Sequence, residues 1–343
     1  MKTADPTMAR AINDRLALDL LLEHGPLTAT QLRTLTGLSR PTVADLIERL
    51  RVSGLIEQAG ETGADRRGPN ARLYGLVSGR AHVAGVDLRR DAVHVIAADI
   101  AGTETGTVTR PLPPAPDLPA FIAGAIGDAL GGAGEERTAH TVVLGTPGLI
   151  HPRTGLASDS GVPGGRPDLG AALAERLGSH VIVENEVNLA TIAEHRTGAA
   201  TGRDDFALLW LDDGIGAGVV LDGRLRRGAS GGAGEVGLLK FGDADFCALM
   251  EPPAVRGLAP DALADRIVRG VFALVAVLDP GLVVLGGALG RAGGAELAAL
   301  VSARLDELSP ASTEVRPAVV QGDPILRGAV LTALDTARDA VFG

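Results

Sequence analysis

Apolar residues recur at helical spacing through the first fifty positions. Over 9–24, Ile12, Leu16, Leu20 and Leu21 read as the buried stripe of an amphipathic helix. Gly25-Pro26 stops it. Thr28 then caps a short second helix with Leu32 and Leu35 facing inward. A polar turn at 36–39, holding Gly37, leads to a third helix. Ser39 is its N-cap, Pro41 is tolerated in its first turn, and Val43, Leu46, Ile47 and Leu50 form its apolar stripe. Strand-like segments at 54–57 and 73–77 then flank a glycine-rich loop, which predicts a hairpin wing. Its tip, 63–69, carries the adjacent Arg66 and Arg67.

Past residue 80 the pattern changes to strands alternating with helices. Strands are expected at 82–88, 93–100, 106–109, 141–144, 181–184, 206–211, 218–221, 282–285 and 315–320. Helices are expected at 118–130, 168–177, 187–196, 262–278 and 296–308, with a proline-rich link at 111–119. This alternation predicts an α/β domain with mixed sheets. Two sets of strands separated near residue 187 predict two lobes with a cleft between them. The chain therefore divides into a winged helix-turn-helix DNA-binding domain at 1–79 and an effector-binding and oligomerisation domain at 80–343.

Charge supports that division. The 343 residues carry a net charge of -10, which by itself argues against a nucleic-acid partner. Residues 1–80, however, hold 11 basic and 9 acidic side chains, against 21 and 33 in the remainder. An acidic body thus conceals a mildly basic first domain. The helix–turn–helix spacing suits a recognition helix in the major groove. Ser39, Arg40, Thr42, Asp45 and Arg49 project from the face opposite its apolar stripe, and Arg66 and Arg67 at the wing tip reach phosphates or a narrow minor groove. The longest apolar run near the C-terminus, 271–278, has 8 residues against the roughly 20 a spanning helix needs, so no membrane segment is expected. With no apolar signal core at the N-terminus and Cys247 as the one cysteine, a cytoplasmic protein is expected.

Four segments of the larger domain resemble one family. They are Val-Glu-Asn-Glu-Val-Asn-Leu-Ala at 183–190, Asp-Gly-Ile-Gly-Ala-Gly-Val-Val-Leu-Asp-Gly at 213–223, Arg-Gly-Ala-Ser-Gly-Gly-Ala-Gly-Glu-Val-Gly at 227–237, and Leu-Val-Val-Leu-Gly-Gly at 282–287. Together they resemble the ROK family of repressors, open reading frames and kinases. A winged helix ahead of such a domain is similar to the family's repressor branch, that of the xylose and N-acetylglucosamine repressors. The resemblance implies a two-lobed, actin-like (sugar-kinase-like) ROK domain, a homodimer or tetramer, and a sugar pocket in the cleft. Asn185, Glu186 and Glu235 would hydrogen-bond hydroxyls there, with the turn ending at Gly148 against the same cleft.

The sequence also departs from the family pattern. The phosphate loop Asp-x-Gly-Gly-Thr reads Asp87-Leu88-Arg89-Arg90-Asp91, so two arginines stand where the backbone approaches phosphate. The catalytic Asp is Glu186, one methylene longer. The histidine that serves both sugar and zinc is Leu238, and the family's cysteine cluster is reduced to Cys247. Asp243, Asp245 and Glu251 read as surface or capping acids, and His94, His151 and His195 as surface histidines. The expectation is a transcriptional regulator, mostly a repressor by its branch, with no metal, no ATP and no enzyme activity. Its partners would be a double-stranded DNA operator arranged as an inverted repeat and a sugar-derived or other small-molecule effector. The alternatives are a sugar kinase with a regulatory N-terminal module, and a ligand-free regulator that docks a protein partner.

Overall fold

The computed structural model describes residues 6–61, 71–131, 137–158 and 161–343. The first unit contains α1 (Pro6–His24), β1 (Leu27–Thr28), α2 (Ala29–Thr36), α3 (Arg40–Val52), β2 (Ile56–Glu61) and β3 (Arg72–Leu76). Thr28 and Gln31 close a reciprocal capping box that starts α2, and Gly37 ends it in the left-handed region. Ser39 caps α3 by accepting from the Thr42 amide. The three strands pair antiparallel in the order β1-β3-β2. Arg66 and Arg67, at the expected wing tip, lie outside the described residues.

The apolar stripe of α3 is buried as expected: Val43, Leu46, Ile47 and Leu50 all face the core. The stripe of α1 is not the expected one. Ile12 and Leu16 are exposed, and Ala17, Leu18 and Leu21 are buried instead. The leucines and alanine at 16–18 and 20–22, interrupted only by Asp19, fit more than one helical phase, and packing against α3 selects this one. On α2, Leu32 is buried while Leu35 is exposed.

The larger unit has two lobes. The first contains β4 (His82–Leu88), β5 (Ala92–Asp99), β6 (Glu104–Pro111), α4 (Leu118–Ala129), β7 (Ala139–Thr146), α5 (Leu169–Leu177), β8 (His180–Asn185) and α6 (Glu186–Thr197). The second contains β9 (Phe206–Leu211), β10 (Ile215–Leu221), β11 (Arg224–Leu225), a small hairpin of β12 (Lys240–Phe241) and β13 (Ala244–Asp245), α7 (Phe246–Met250) and α8 (Pro252–Val255). It continues with α9 (Pro260–Leu278), β14 (Leu282–Gly286), α10 (Gly287–Leu308), β15 (Glu314–Pro317) and α11 (Pro324–Phe342). The two sheets run β6-β5-β4-β7-β8 and β11-β10-β9-β14-β15. In each, an antiparallel triple is extended by two parallel strands, so the lobes repeat one topology.

Helices α6 and α11 lie between the sheets. Their apolar faces share one core with Val83 and Val143 from the first sheet and Phe206, Leu208 and Val284 from the second. Separate cores join α4 and α5 to the first sheet and α9 and α10 to the second. Two expectations at this end need correction. Strand β15 stops at Pro317, short of residue 320, because Val319 and Val320 turn their amides to the buried carboxylate of Glu194 instead of a neighbouring strand. The 19-residue helix α11 was not anticipated at all.

Helix α11 also reaches the first unit. Phe342, Ala81 and Ile100 belong to the same buried cluster as Leu18 and Leu46. Arg15 of α1 pairs with Asp19 at 3.0 Å and with Asp339 at 2.9 Å, and its guanidinium lies over the Phe342 ring. Arg338 donates to the Ile100 carbonyl at 3.0 Å. The two units therefore share a core as well as a connecting turn.

Two glycines allow α11 to sit so deep. A Cβ on Gly328 would stand 1.9 Å from the Leu189 carbonyl oxygen, and one on Gly85 of β4 would stand 2.9 Å from the Val330 nitrogen. Gly328→Ala should therefore be destabilising by about 1–3 kcal/mol or more, as overpacking is. Gly127, on the exposed side of α4 with open space around it, is the control: alanine there should stabilise by about 0.5–1 kcal/mol. Thermal denaturation of the two variants should shift in opposite directions, and a neutral Gly328→Ala would contradict the packing.

Candidate functional site

At the N-terminus of α3, Ser39 and Arg40 are exposed beside a half-buried Thr42. The Ser39 and Thr42 hydroxyls lie 2.8 Å apart and complete the cap. Arg40 has no ion pair among the described residues and stands where a helix N-terminus meets solvent. Arg49 and Asp45 are placed differently. The Arg49 guanidinium is held by Asp14 of α1 at 2.6 Å and by Asp45 at 3.6 Å, and this pairing raises its already high pKa. Arg49 braces α3 against α1, while Asp45 stays largely exposed on α3. Exposed Arg33 on α2 and Arg72 at the start of β3 belong to the same unit and were missed, since neither lies on a periodic face that singles it out.

The cleft is built where the strands end. A cavity of about 340 Å³ is lined by Gly148, Ser158, Asn185, Glu186, Glu235 and Leu238, with the 214–217 segment of β10 as one wall. It therefore brings together all five residues expected to bind a ligand. Asn185 caps α6: its Oδ1 accepts from the Val187 and Asn188 amides at 2.8 and 3.2 Å. Its Nδ2 donates to the Gly148 carbonyl at 3.0 Å and to Glu186 at 2.9 Å. The amide is thereby fully engaged and shapes the site without remaining free to bind hydroxyls. The glycines around the cleft are packing requirements. A Cβ on Gly218 would meet Thr191 Oγ1 at 1.8 Å, and one on Gly234, whose φ is +87°, would meet the Ala217 carbonyl oxygen at 1.8 Å. That second contact fixes the start of the turn carrying Glu235. Buried Glu184 holds the same segment by pairing with Arg227 at 2.5 Å.

Charge is concentrated at the floor. Burial, aided by Asp87 and Glu235 and opposed by a backbone amide and Arg90, pushes Glu186 up to about 8. Burial raises Asp87 to about 6 despite its pairing with Arg89, and raises Glu235 as well.

A second cavity of about 430 Å³ adjoins the first, lined by Asp87, Arg89, Arg90, Trp210, Asp212 and Asp323 among others. Arg89 crosses it, bonded to Asp87 at 2.6 Å and to Asp323 at 2.5 Å. Asp323 in turn caps α11. A guanidinium thus fills the place where a phosphate loop would leave room for nucleotide, and its charge is already matched by two carboxylates. The residues present do not fit ATP phosphates. Nor do they fit zinc: Leu238 stands in place of the histidine, Cys247 is the one thiol, and no three possible ligands converge among the described residues. Asp245 caps α7, accepting from the Ala248 amide at 2.8 Å. His195 is not a surface residue: it packs on Phe206 and bonds the Arg203 carbonyl oxygen. His94, half-buried, bonds Thr109.

Comparison with known proteins agrees with this architecture. Residues 83–248 match the model of the ROK family, and residues 12–68 match that of the MarR family. The chain carries a ROK-family domain behind a MarR-type winged helix. The xylose repressor of Bacillus subtilis (strain 168) is 26% identical over 248 residues, which are 69% of this chain and 62% of the repressor. The match thus spans less than two thirds of that relative's length. The crystal structure of a ROK family transcriptional regulator, a homolog of the E. coli MLC protein, superposes with a TM-score of 0.74 at 17% identity. That superposition covers 98% of this chain and 100% of the other, and it is a likeness of fold. A ROK hexokinase from Thermus thermophilus superposes with a TM-score of 0.62 at 26% identity, covering 75% of this chain and 99% of the hexokinase.

The raised carboxyls predict a pH dependence of stability. The folded protein keeps on Glu186 a proton that the unfolded chain, titrating near 4.3, has already released. Stability from this group is present at low pH and is lost as pH rises through about 8. Between pH 7 and 8, above the midpoint near 6 at which Asp87 titrates, the thermal midpoint should fall more steeply for the native sequence than for Glu186→Gln. Equal slopes would remove Glu186 as the cause.

Proposed function

We propose that the protein is a DNA-binding transcriptional repressor whose operator affinity is set by a small molecule bound in the ROK cleft, and that it catalyses no phosphoryl transfer. The observation that carries this reading is the shared core at α11: one helix begins at the cleft, where Asp323 meets Arg89, and ends inside the winged helix at Phe342. The reading is supported by the exposed N-terminus of α3 with Arg40, and by the xylose repressor relative. Arg89 in the phosphate position counts against the kinase reading.

Two copies of the winged helix would place their α3 helices in successive major grooves. Ser39, Arg40 and Thr42 contact DNA, while Arg49 holds the helix that presents them. Selection from random duplex DNA should return an inverted repeat with half-site centres about 10 base pairs, one helical turn, apart. Arg40→Ala should weaken binding to that site by about 1–3 kcal/mol and relax base preference at one position of each half-site. Unchanged affinity and preference would remove Arg40 from the interface. Sustained hexose-dependent ATP turnover would favour the kinase reading instead.

An effector shifts DNA affinity by preferring one arrangement of the two units over another. Phe342→Ala removes the aromatic end of α11 from the shared core. It should leave effector affinity unchanged and reduce the effector's influence on DNA binding severalfold, measured by titrating DNA with and without ligand. Full retention of that influence would exclude α11 as the link.

A further inference from the structure

The functional groups left free in the cleft restrict what can bind there. Asn185 uses both amide hydrogens and its carbonyl oxygen on protein partners, and Asn188 donates to Glu184 at 2.9 Å. Ser158 accepts from the Leu149 amide, which leaves its hydroxyl proton to donate. The side-chain groups that remain for a ligand are the carboxyls of Glu186 and Glu235, the Ser158 hydroxyl and the part of the Asn188 amide that Glu184 does not engage. No lysine, arginine or histidine lines this cavity among the described residues. Leu238, with 69% of its surface exposed, supplies an apolar wall.

An anionic ligand would enter without a counter-charge, at a cost that partial burial makes severe. A neutral polyol would hydrogen-bond the carboxyl oxygens but leave burial and the neighbouring Glu235 holding Glu186 in its protonated form. Arg90 on the β4–β5 turn and Asp87 on β4 act on Glu186 with opposite signs, so the repulsion from Glu235 persists. A ligand that brings its own positive charge meets both requirements, through charge-assisted hydrogen bonds that are roughly twice as strong as neutral ones.

We propose that the effector is a monosaccharide-sized molecule carrying a protonated amine beside its hydroxyls, with the ammonium seated between Glu186 and Glu235 and a ring face against Leu238. This rests on the reading of the cleft as the effector site. Its volume of about 340 Å³ lies at the small end of ligand pockets, as such a molecule requires. Binding is linked to protons. Glu186 is protonated at neutral pH in the empty cleft and gives up its proton when the ammonium arrives, the ammonium itself keeping all of its own protons.

The test uses calorimetric titration of the full chain with matched pairs: glucosamine and glucose, galactosamine and galactose, mannosamine and mannose, with the corresponding hexose 6-phosphates as an anionic arm. At least one amine should bind about tenfold or more tightly than its hydroxyl counterpart. That preference should fall below about twofold in both Glu235→Gln and Glu186→Gln, so that misfolding of one variant leaves the other as a readout. From pH 6 to pH 7 the amine's affinity should rise by up to about tenfold with release of a proton, while the hydroxyl partner's stays level. A parent sugar or phosphate that binds as tightly as the amine overturns the cationic effector and leaves the cleft reading intact. No binding by any member of the panel overturns both.

Discussion

Helix α11 can lie between the two lobes because backbone meets backbone at Gly328 and Gly85. At Gly328 a methyl group would stand 1.9 Å from the carbonyl oxygen of Leu189 on α6, so the two central helices touch along their main chains. Contacts this close do not deform gradually, because a packed interior has no free volume to absorb a shift. Nineteen residues span about 28 Å, and over that distance the helix behaves as a rigid body. Its capping carboxylate, Asp323, stands beside the cleft, and its last aromatic side chain is buried in the winged helix. The remaining structure is arranged around that helix: both sheets, α6 and the first unit each give part of their core to it.

The same constraint explains the glycine-rich character of the cleft. Gly218 and Gly234 keep β10 and the Glu235 turn against α6 and against each other, which gives these glycines a structural role that does not depend on phosphate chemistry. The family's architecture and the family's reaction are therefore separable. The architecture depends on small residues in packed positions, among them Gly85, Gly218, Gly234 and Gly328. The reaction depends on an open phosphate cradle and a carboxylate set at one distance. Here the first is crossed by Arg89, pinned between Asp87 and Asp323, and the second is occupied by a longer side chain.

Much of this was legible in the amino-acid order, and the parts that were not share a physical reason. Helix α3, its cap at Ser39 and its stripe from Val43 to Leu50 could be read directly, because a polar turn fixes the start and one phase fits the apolar positions. Helix α1 could not, since its leucines and alanines satisfy two phases and the choice belongs to the partner surface. The five ligand-site residues converge on one cavity as the motifs implied, yet the engagement of Asn185 was invisible. Sequence shows an amide that can bond; it does not show that four protein groups have already used it. Arg49 shows the same limit, because Asp14 lies 35 positions away. Helix α11 is a different case. Asp323-Pro324 is an N-cap followed by a first-turn proline, and Leu326, Ala329, Val330, Ala333, Leu334 and Ala337 recur at helical spacing. That signal is present in the sequence, directly after the strand expected at 315–320.

Electrostatics then ties the two ends together. On the proposed reading the acidic body repels bulk phosphate, so attachment to DNA would come from a small surface around α3. A surface of that size holds few phosphate contacts and tolerates little misplacement, which makes affinity sensitive to how two reading units are spaced. Spacing is what a rigid helix controls. Phe342 and the Arg15–Asp339 pair join α1 to the end of α11 and the Asp14–Arg49 bridge joins α1 to α3, so on the proposed reading a displacement at Asp323 would reach α3 by that path. A ligand in the cleft therefore needs no contact with the winged helix to alter its placement: it needs a preference for one position of α11 over another, and the ring of carboxyls beside Asp323 is where its charge would be felt.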